Sequence, residues 1–124
     1  MKPNHQPPPA STELTESDLC KRAFVLAIKD ALNVVSGKWK LVIICTLLSG
    51  PKSFTEINKL VKEISPRMLS RDLSELELND VVMHFEDEAG NAKYQLTRSG
   101  QVLEEVIIML ATWGQKHREL VAAV

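Results

Sequence analysis

The sequence predicts a mainly α chain that carries one small β-hairpin, and three observations predict it. Apolar residues recur at helical spacing through most of the chain from about residue 18 onward. Between residues 81 and 96 that spacing gives way to a period of two on either side of a loop supplied with Gly and Asn. Ser53, Ser65 and Thr97 each stand where a helix N-cap is needed, just ahead of an apolar-periodic run.

Taken in order, residues 1–17 open with MKPNHQPPPASTE, rich in Pro, Ser, Thr and Asn and nearly free of large apolar groups. Such a segment cannot offset its ordering entropy by burial, so it reads as a disordered tail, and it has no apolar core that would make it a signal peptide. Residues 18–124 read as one domain. Phe24, Ile28, Ala31, Leu32 and Val35 fall on one stripe of a first helix, which stops at Ser36-Gly37. A second helix over residues 39–48 is apolar nearly all round and is expected at the buried centre, with Gly50-Pro51 ending it. Ser53 and Glu56 form a capping box for a short third helix over residues 54–61, with Ile57, Leu60 and Val61 facing inward. Ser65 is suited to the N-cap and Pro66 to the first position of a fourth helix over residues 66–79. Strands at 81–86 and 92–96 flank Asp87-Glu88-Ala89-Gly90-Asn91, and Thr97 caps a last helix from Arg98 to Leu120 or beyond. Helix, helix, short helix, exposed helix, strand, turn, strand is the order of a winged helix-turn-helix.

Bulk properties mainly exclude. Formal charge is −1 and 44% of residues are hydrophobic, so no global basicity points to nucleic acid. Cys20 and Cys45 have neither CxxC spacing nor a nearby His pair, which excludes a legible zinc site or disulfide framework and fits a reducing cytoplasm. No apolar run reaches the roughly 18 residues of a membrane span. No phosphate loop, HExxH or nucleophile–base spacing appears, so no enzyme activity, cofactor or metal is expected.

Charge is nonetheless polarised. Residues 36–71 hold seven cations (Lys38, Lys40, Lys52, Lys59, Lys62, Arg67, Arg71) against Glu56 and Glu63, whereas residues 72–96 hold Lys93 against seven anions. At about 100° per residue, Leu69, Leu73 and Leu76 form one seam of the fourth helix, with Arg67, Arg71 and Ser74 opposite and Ser70 on a flank. Arginine can take a guanine edge or clamp a phosphate, and serine can donate or accept to either. The carboxylates come later along the axis, so only the N-terminal half could enter a groove, and the reading surface is not extended past Ser74.

With the elements in order, the chain resembles the HxlR-type winged-helix transcriptional regulators of bacteria. The resemblance spans about residues 28–114 and rests on ALNVVSGKWKLVIICTLLSGPKSFTEI, ISPRMLSRDLSELELNDVV, YQLTRSG and the closing Trp113-Gly114. It implies a homodimer on a near-palindromic double-stranded DNA operator, with the fourth helix in the major groove and the hairpin as a wing. It implies that Ser65, Arg67, Ser70 and Arg71 face DNA, that Lys38 and Lys40 lie near the backbone, and that the first and last helices form the dimer interface. With Met68, Ser74 and the salt-dependent cations Lys52, Lys59 and Lys93, these make up the expected DNA surface. The expected dimer surface comprises Phe24 and Ile28 with the last-helix stripe Leu103, Val106, Leu110, Trp113, His117 and Leu120. That stripe outruns what a small core can cover, and His117 reads as an interface residue because no second metal ligand is visible. A cytoplasmic, nucleoid-associated protein is implied, with the effector left open between a small molecule and an electrophile.

The chain departs from the family twice. Members commonly carry a Cys-Pro pair upstream of Gly-Lys-Trp, some using that cysteine to sense oxidants; here Leu26-Ala27 stand at the aligned positions. The wing tip, Glu86-Asp87-Glu88, is acidic and would repel phosphate, so the alternative is a winged helix whose wing binds a basic protein partner. Cys20, beside Lys21-Arg22, is a candidate redox-sensing thiol, with an uninvolved exposed thiol as the ordinary alternative. Cys45, Trp39 and Phe54 read as core packing.

Overall fold

The computed structural model describes residues 21–123; Val124 and residues 1–20, with the expected tail and Cys20 among them, lie outside the described residues. The elements are α1 (Arg22–Val35), α2 (Lys40–Leu47), α3 (Phe54–Leu60), α4 (Pro66–Leu78), β1 (Val82–Glu86), β2 (Ala92–Leu96) and α5 (Arg98–Ala122). The order and type of every element agree with the sequence reading.

The chain divides into two compact units, one ending at Asn33 and the other running Val34–Val124. In the first, the described helix residues are 22–33 of α1, none of which is buried. Val25, Leu26, Ile28 and Leu32 are exposed on it, and Phe24 is half-buried.

The second unit is built around a single cluster: Ile43, Ile44 and Leu47 of α2, Ile57 of α3, Val61, Ile64, the Leu69, Leu73 and Leu76 seam of α4, Val81, Val82 and Leu96. The α4 seam is buried because residues three and four apart share one face of a helix. Val34, Val35, Trp39, Phe54, Tyr94, Leu103 and Ile107 pack around this cluster, so Trp39 and Phe54 line the core's edge rather than its centre. Burying a Leu or Ile side chain fully contributes about 1.5–3 kcal/mol, so the seam is a principal support of α4.

Local chemistry sets the helix starts. The Ser53 hydroxyl accepts from the Glu56 amide at 3.1 Å while the Glu56 carboxylate accepts from the Ser53 amide at 2.8 Å, completing the capping box. Ser65 caps α4 by accepting from the Met68 amide at 3.1 Å, with Pro66 at the first turn. Thr97 caps α5 by accepting from the Gly100 amide at 3.2 Å.

The hairpin pairs Val82 with Leu96, His84 with Tyr94 and Glu86 with Ala92 in antiparallel register. Its turn needs Gly90, whose φ of +84° lies in the left-handed region. The backbone of Lys52 bridges Tyr94 through hydrogen bonds of 2.9 and 2.8 Å, which ties the approach to α3 onto β2.

One expectation about α2 is corrected. Its nearly all-apolar sequence predicts the buried centre with Cys45 as inert packing, yet Val42 and Cys45 are exposed. Its neighbours α3, α4, β2 and α5 meet the side bearing Ile43, Ile44 and Leu47. Val42 and Cys45, three apart, share the side that no described element covers.

Candidate nucleic-acid interface

The exposed face of α4 carries Arg67, Arg71 and Ser74 opposite the buried leucines, with Ser70 exposed on its flank. Met68, counted in the same surface from sequence, is half-buried and packs against the core. Ser65 is exposed, but its hydroxyl oxygen is engaged in capping. The two arginines differ. Arg67 has no partner among the described residues, whereas Arg71 donates from Nε to Glu75 Oε2 at 3.3 Å.

Glu75 is the hub of this surface. Its other oxygen, Oε1, takes the Lys40 ammonium at 2.6 Å. Those two cationic donors hold the Glu75 carboxyl below its usual range, the Lys40 hydrogen bond foremost and the Arg71 hydrogen bond next. Lys40 itself departs from the expectation of a cation near the DNA backbone. Its side chain is only 9% exposed and its ammonium is paired with Glu75 of α4. Asp72 is also buried, at 7% exposure. Burial pushes its carboxyl up from the usual range, and the nearby Lys40 charge opposes that shift.

The other expected cations lie on other segments. Lys59 is exposed, and Lys38 lies over the Trp39 ring, 5.1 Å from its centroid. Lys52 Nζ donates to Ser49 Oγ at 2.7 Å. Lys93, on the wing, pairs with Glu56 at 3.5 Å. The Glu56 carboxyl is lowered chiefly by the Ser53 amide and then by Lys93.

The acidic wing is less available than its composition suggests. The Asp87 carboxylate accepts from the amides of Ala89 and Asn91 at 3.0 and 2.8 Å, so it builds the turn. Glu77, at the end of α4, contacts His84 Nδ1 of β1 at 2.5 Å. Glu86 and Glu88 are left exposed.

On α5 the expected stripe divides. Leu103 packs against the chain's own core, contrary to its assignment to a partner surface. Val106, Leu110, Trp113, His117 and Leu120 are exposed, and the rings of Trp113 and His117 stack at 4.8 Å with an interplanar angle of 8°. Among the described residues no group of His, Cys, Asp or Glu is arranged to hold a metal ion, and no helix is long and apolar enough to cross a membrane.

Neither the role of Glu75 on this surface nor the burial of Asp72 was legible in the sequence. The Arg71–Glu75 spacing of one helical turn signals only the pairing of those two. Nothing in the local pattern marks Lys40 as the buried partner of Glu75.

Comparison with known proteins agrees with this geometry. Residues 34–121 match the family model of the HxlR-like helix-turn-helix. Over 99 residues the chain is 33% identical to the uncharacterized HTH-type transcriptional regulator YtcD of Bacillus subtilis (strain 168), covering 78% of this chain and 79% of YtcD. It is 31% identical over 94 residues to the HTH-type transcriptional regulator YodB of the same organism, covering 74% of this chain and 84% of YodB. The structure of the redox regulator HypR in its reduced form superposes with a TM-score of 0.70 at 28% identity, covering 79% of this chain and 99% of HypR.

Proposed function

Because the chain belongs to the HxlR-like helix-turn-helix family, and is thereby a transcriptional regulator rather than an enzyme, we propose that it binds a near-palindromic DNA operator as a cytoplasmic homodimer. The observation that carries this reading is the α4 face on which Arg67, Ser70, Arg71 and Ser74 are all exposed above a fully buried leucine seam. The N-terminal half of that helix enters the major groove, where Arg and Ser meet base edges and phosphates. Lys38, Lys52 and Lys59 add sequence-independent attraction to the backbone. Lys93 is partly neutralised by Glu56 and adds less.

Dimerisation is supported by apolar area that the chain leaves uncovered. Trp113 is 63% and Leu120 64% exposed on α5, in a continuous stripe with Val106 and Leu110. A stripe of that kind on a soluble helix marks a partner surface. Apolar side chains exposed on α1 offer a second such face. The similar structures include the redox regulator HypR, but at the family's Cys-Pro position this chain has Leu26-Ala27, so any redox response would have to use another thiol.

The test is binding of the full chain to duplexes it enriches from a randomised pool, measured across a salt series. A DNA-reading dimer enriches a two-fold symmetric site with half-sites about 10 bp apart or a multiple of that. Its affinity falls steeply and log-linearly with salt. Failure to enrich any sequence, or affinity indifferent to salt, would refute the proposal.

A further inference from the structure

We infer that Glu75 is the residue that sets which edge of Arg71 is presented to DNA, making Arg71 the base-reading arginine and leaving Arg67 to the phosphates. The inference rests on the DNA-binding reading above and deepens it.

An Arg–Glu pair one turn apart on an exposed helix is ordinarily loose and contributes little. The pair here differs because the carboxylate is held from its other side. Glu75 Oε1 lies 2.6 Å from the ammonium of Lys40, which reaches it from α2 with a side chain 9% exposed. A buried ammonium cannot give up its counter-charge without a large desolvation cost, so Lys40 keeps Glu75 in place. Arg71 therefore docks on a fixed carboxylate, with Oε2 at 3.3 Å from Nε.

The choice of Nε matters chemically. A guanidinium offers two bidentate edges, the side-on Nε/Nη pair and the end-on Nη/Nη pair. With Nε turned to Glu75, the end-on pair remains for a ligand, and two parallel N–H donors match the O6 and N7 acceptors of guanine. The neighbouring negative charge also weakens the pull of Arg71 toward any phosphate. Arg67 has no such anchor among the described residues, and so can follow the backbone in whatever rotamer suits it.

The experiment compares the wild-type full chain with Glu75→Gln, Arg71→Ala and the double variant. The probes are the duplex enriched by wild type, its single base-pair replacements and one random-sequence duplex. Wild type is expected to favour a G·C pair at one position of each half-site by about tenfold, with Arg71→Ala abolishing that preference. Glu75→Gln is expected to erode the preference at the same position while tightening binding to the random duplex, because an anion beside the polyanion is gone. Opposite signs for affinity and discrimination are not what a damaged fold produces. In the Arg71→Ala background, Glu75→Gln should have no further effect on discrimination. Full discrimination in Glu75→Gln, erosion spread evenly over all positions, or an erosion that persists without Arg71 would each overturn the inference. Should Glu75→Gln fold poorly, Lys40→Met frees the carboxylate from α2 and is expected to erode the same position; undiminished discrimination there would equally overturn it. Enrichment of no site by wild type removes the DNA-binding reading and this inference with it. An enriched site read equally by wild type and Glu75→Gln removes this inference alone.

Discussion

Gly100 and Val81 meet so closely that a Cβ built on Gly100 would stand 2.4 Å from the Val81 carbonyl oxygen. The same oxygen accepts from the Thr97 amide at 3.0 Å and lies 3.1 Å from the Thr97 hydroxyl. The first turn of α5 is thus clamped onto the residue that leads into the hairpin, which explains the LTRSG run physically: Leu96 enters the core, Thr97 caps, and Gly100 permits the approach. Gly100→Ala forces backbone apart where no flexible side chain can yield. It is expected to destabilise the fold by about 2 kcal/mol, read as a lower urea midpoint. An unchanged midpoint would mean that the helix start is free to shift.

Ser65 serves the start of α4 and also lies at the end expected to meet DNA, and two substitutions separate those duties. Ser65→Ala removes the acceptor for the Met68 amide and is expected to cost about 1 kcal/mol of stability. Ser65→Asp keeps a capping oxygen and favours the helix dipole, so stability is retained, while its charge repels phosphate and lowers duplex affinity. Equal duplex affinity for Ser65→Asp and wild type would place Ser65 away from DNA.

Asp80 adopts a φ of 60°, the left-handed region, at the joint between α4 and the hairpin. Its carbonyl accepts from the Thr97 hydroxyl at 2.6 Å, a bond that any residue's backbone could supply. Asp80→Gly removes the Cβ penalty and is expected to gain about 0.5–1 kcal/mol, whereas the β-branched Asp80→Val loses at least as much. Thermal denaturation of the pair decides it, and a gain from Val would contradict the strain argument.

The Lys40 cluster gives stability two opposed pH responses. Glu75 is held below its usual range, so its contribution is present at neutral pH and disappears as pH falls through its folded-state value. The difference in urea midpoint between wild type and Glu75→Gln is therefore expected to shrink as pH falls below the ordinary glutamate range and to vanish once the folded-state carboxyl is protonated. Asp72 is raised by burial, so the folded state favours its protonated form. Its effect is a penalty that grows as pH rises from its ordinary value through its folded-state value, and Asp72→Asn is expected to flatten that limb. Parallel pH profiles for Asp72→Asn and wild type would show that Asp72 is solvated in solution.

Trp113 offers the largest exposed ring of the α5 stripe, held in place by stacking on His117. Truncating an aromatic anchor of an interface typically costs 2 kcal/mol or more, so Trp113→Ala is expected to raise the dimer dissociation constant by about thirtyfold. Sedimentation equilibrium reads it directly. A variant that stays dimeric at the wild-type concentration would move the interface elsewhere.

Element order, all three helix caps, the hairpin turn and the α4 seam were legible in the sequence because each is governed by neighbours within a few residues: a hydroxyl three positions from an amide, leucines at three- and four-residue spacing, a glycine where φ must be positive. The outward direction of Arg67, Ser70, Arg71 and Ser74 followed from the same periodicity. Tertiary packing decided what local rules could not. An α2 nearly all apolar has no periodicity to say which side is covered, so the exposure of Val42 and Cys45 awaited its neighbours. Lys40 and Glu75 are 35 positions apart, and only the crossing of α2 and α4 turned an apparent surface cation into the buried anchor of a carboxylate. Asp87, apparently part of a repulsive wing tip, became a turn acceptor once two amides converged on it. Charge read along a chain counts ions; which of them remain free to meet DNA depends on the partners that folding brings to each one.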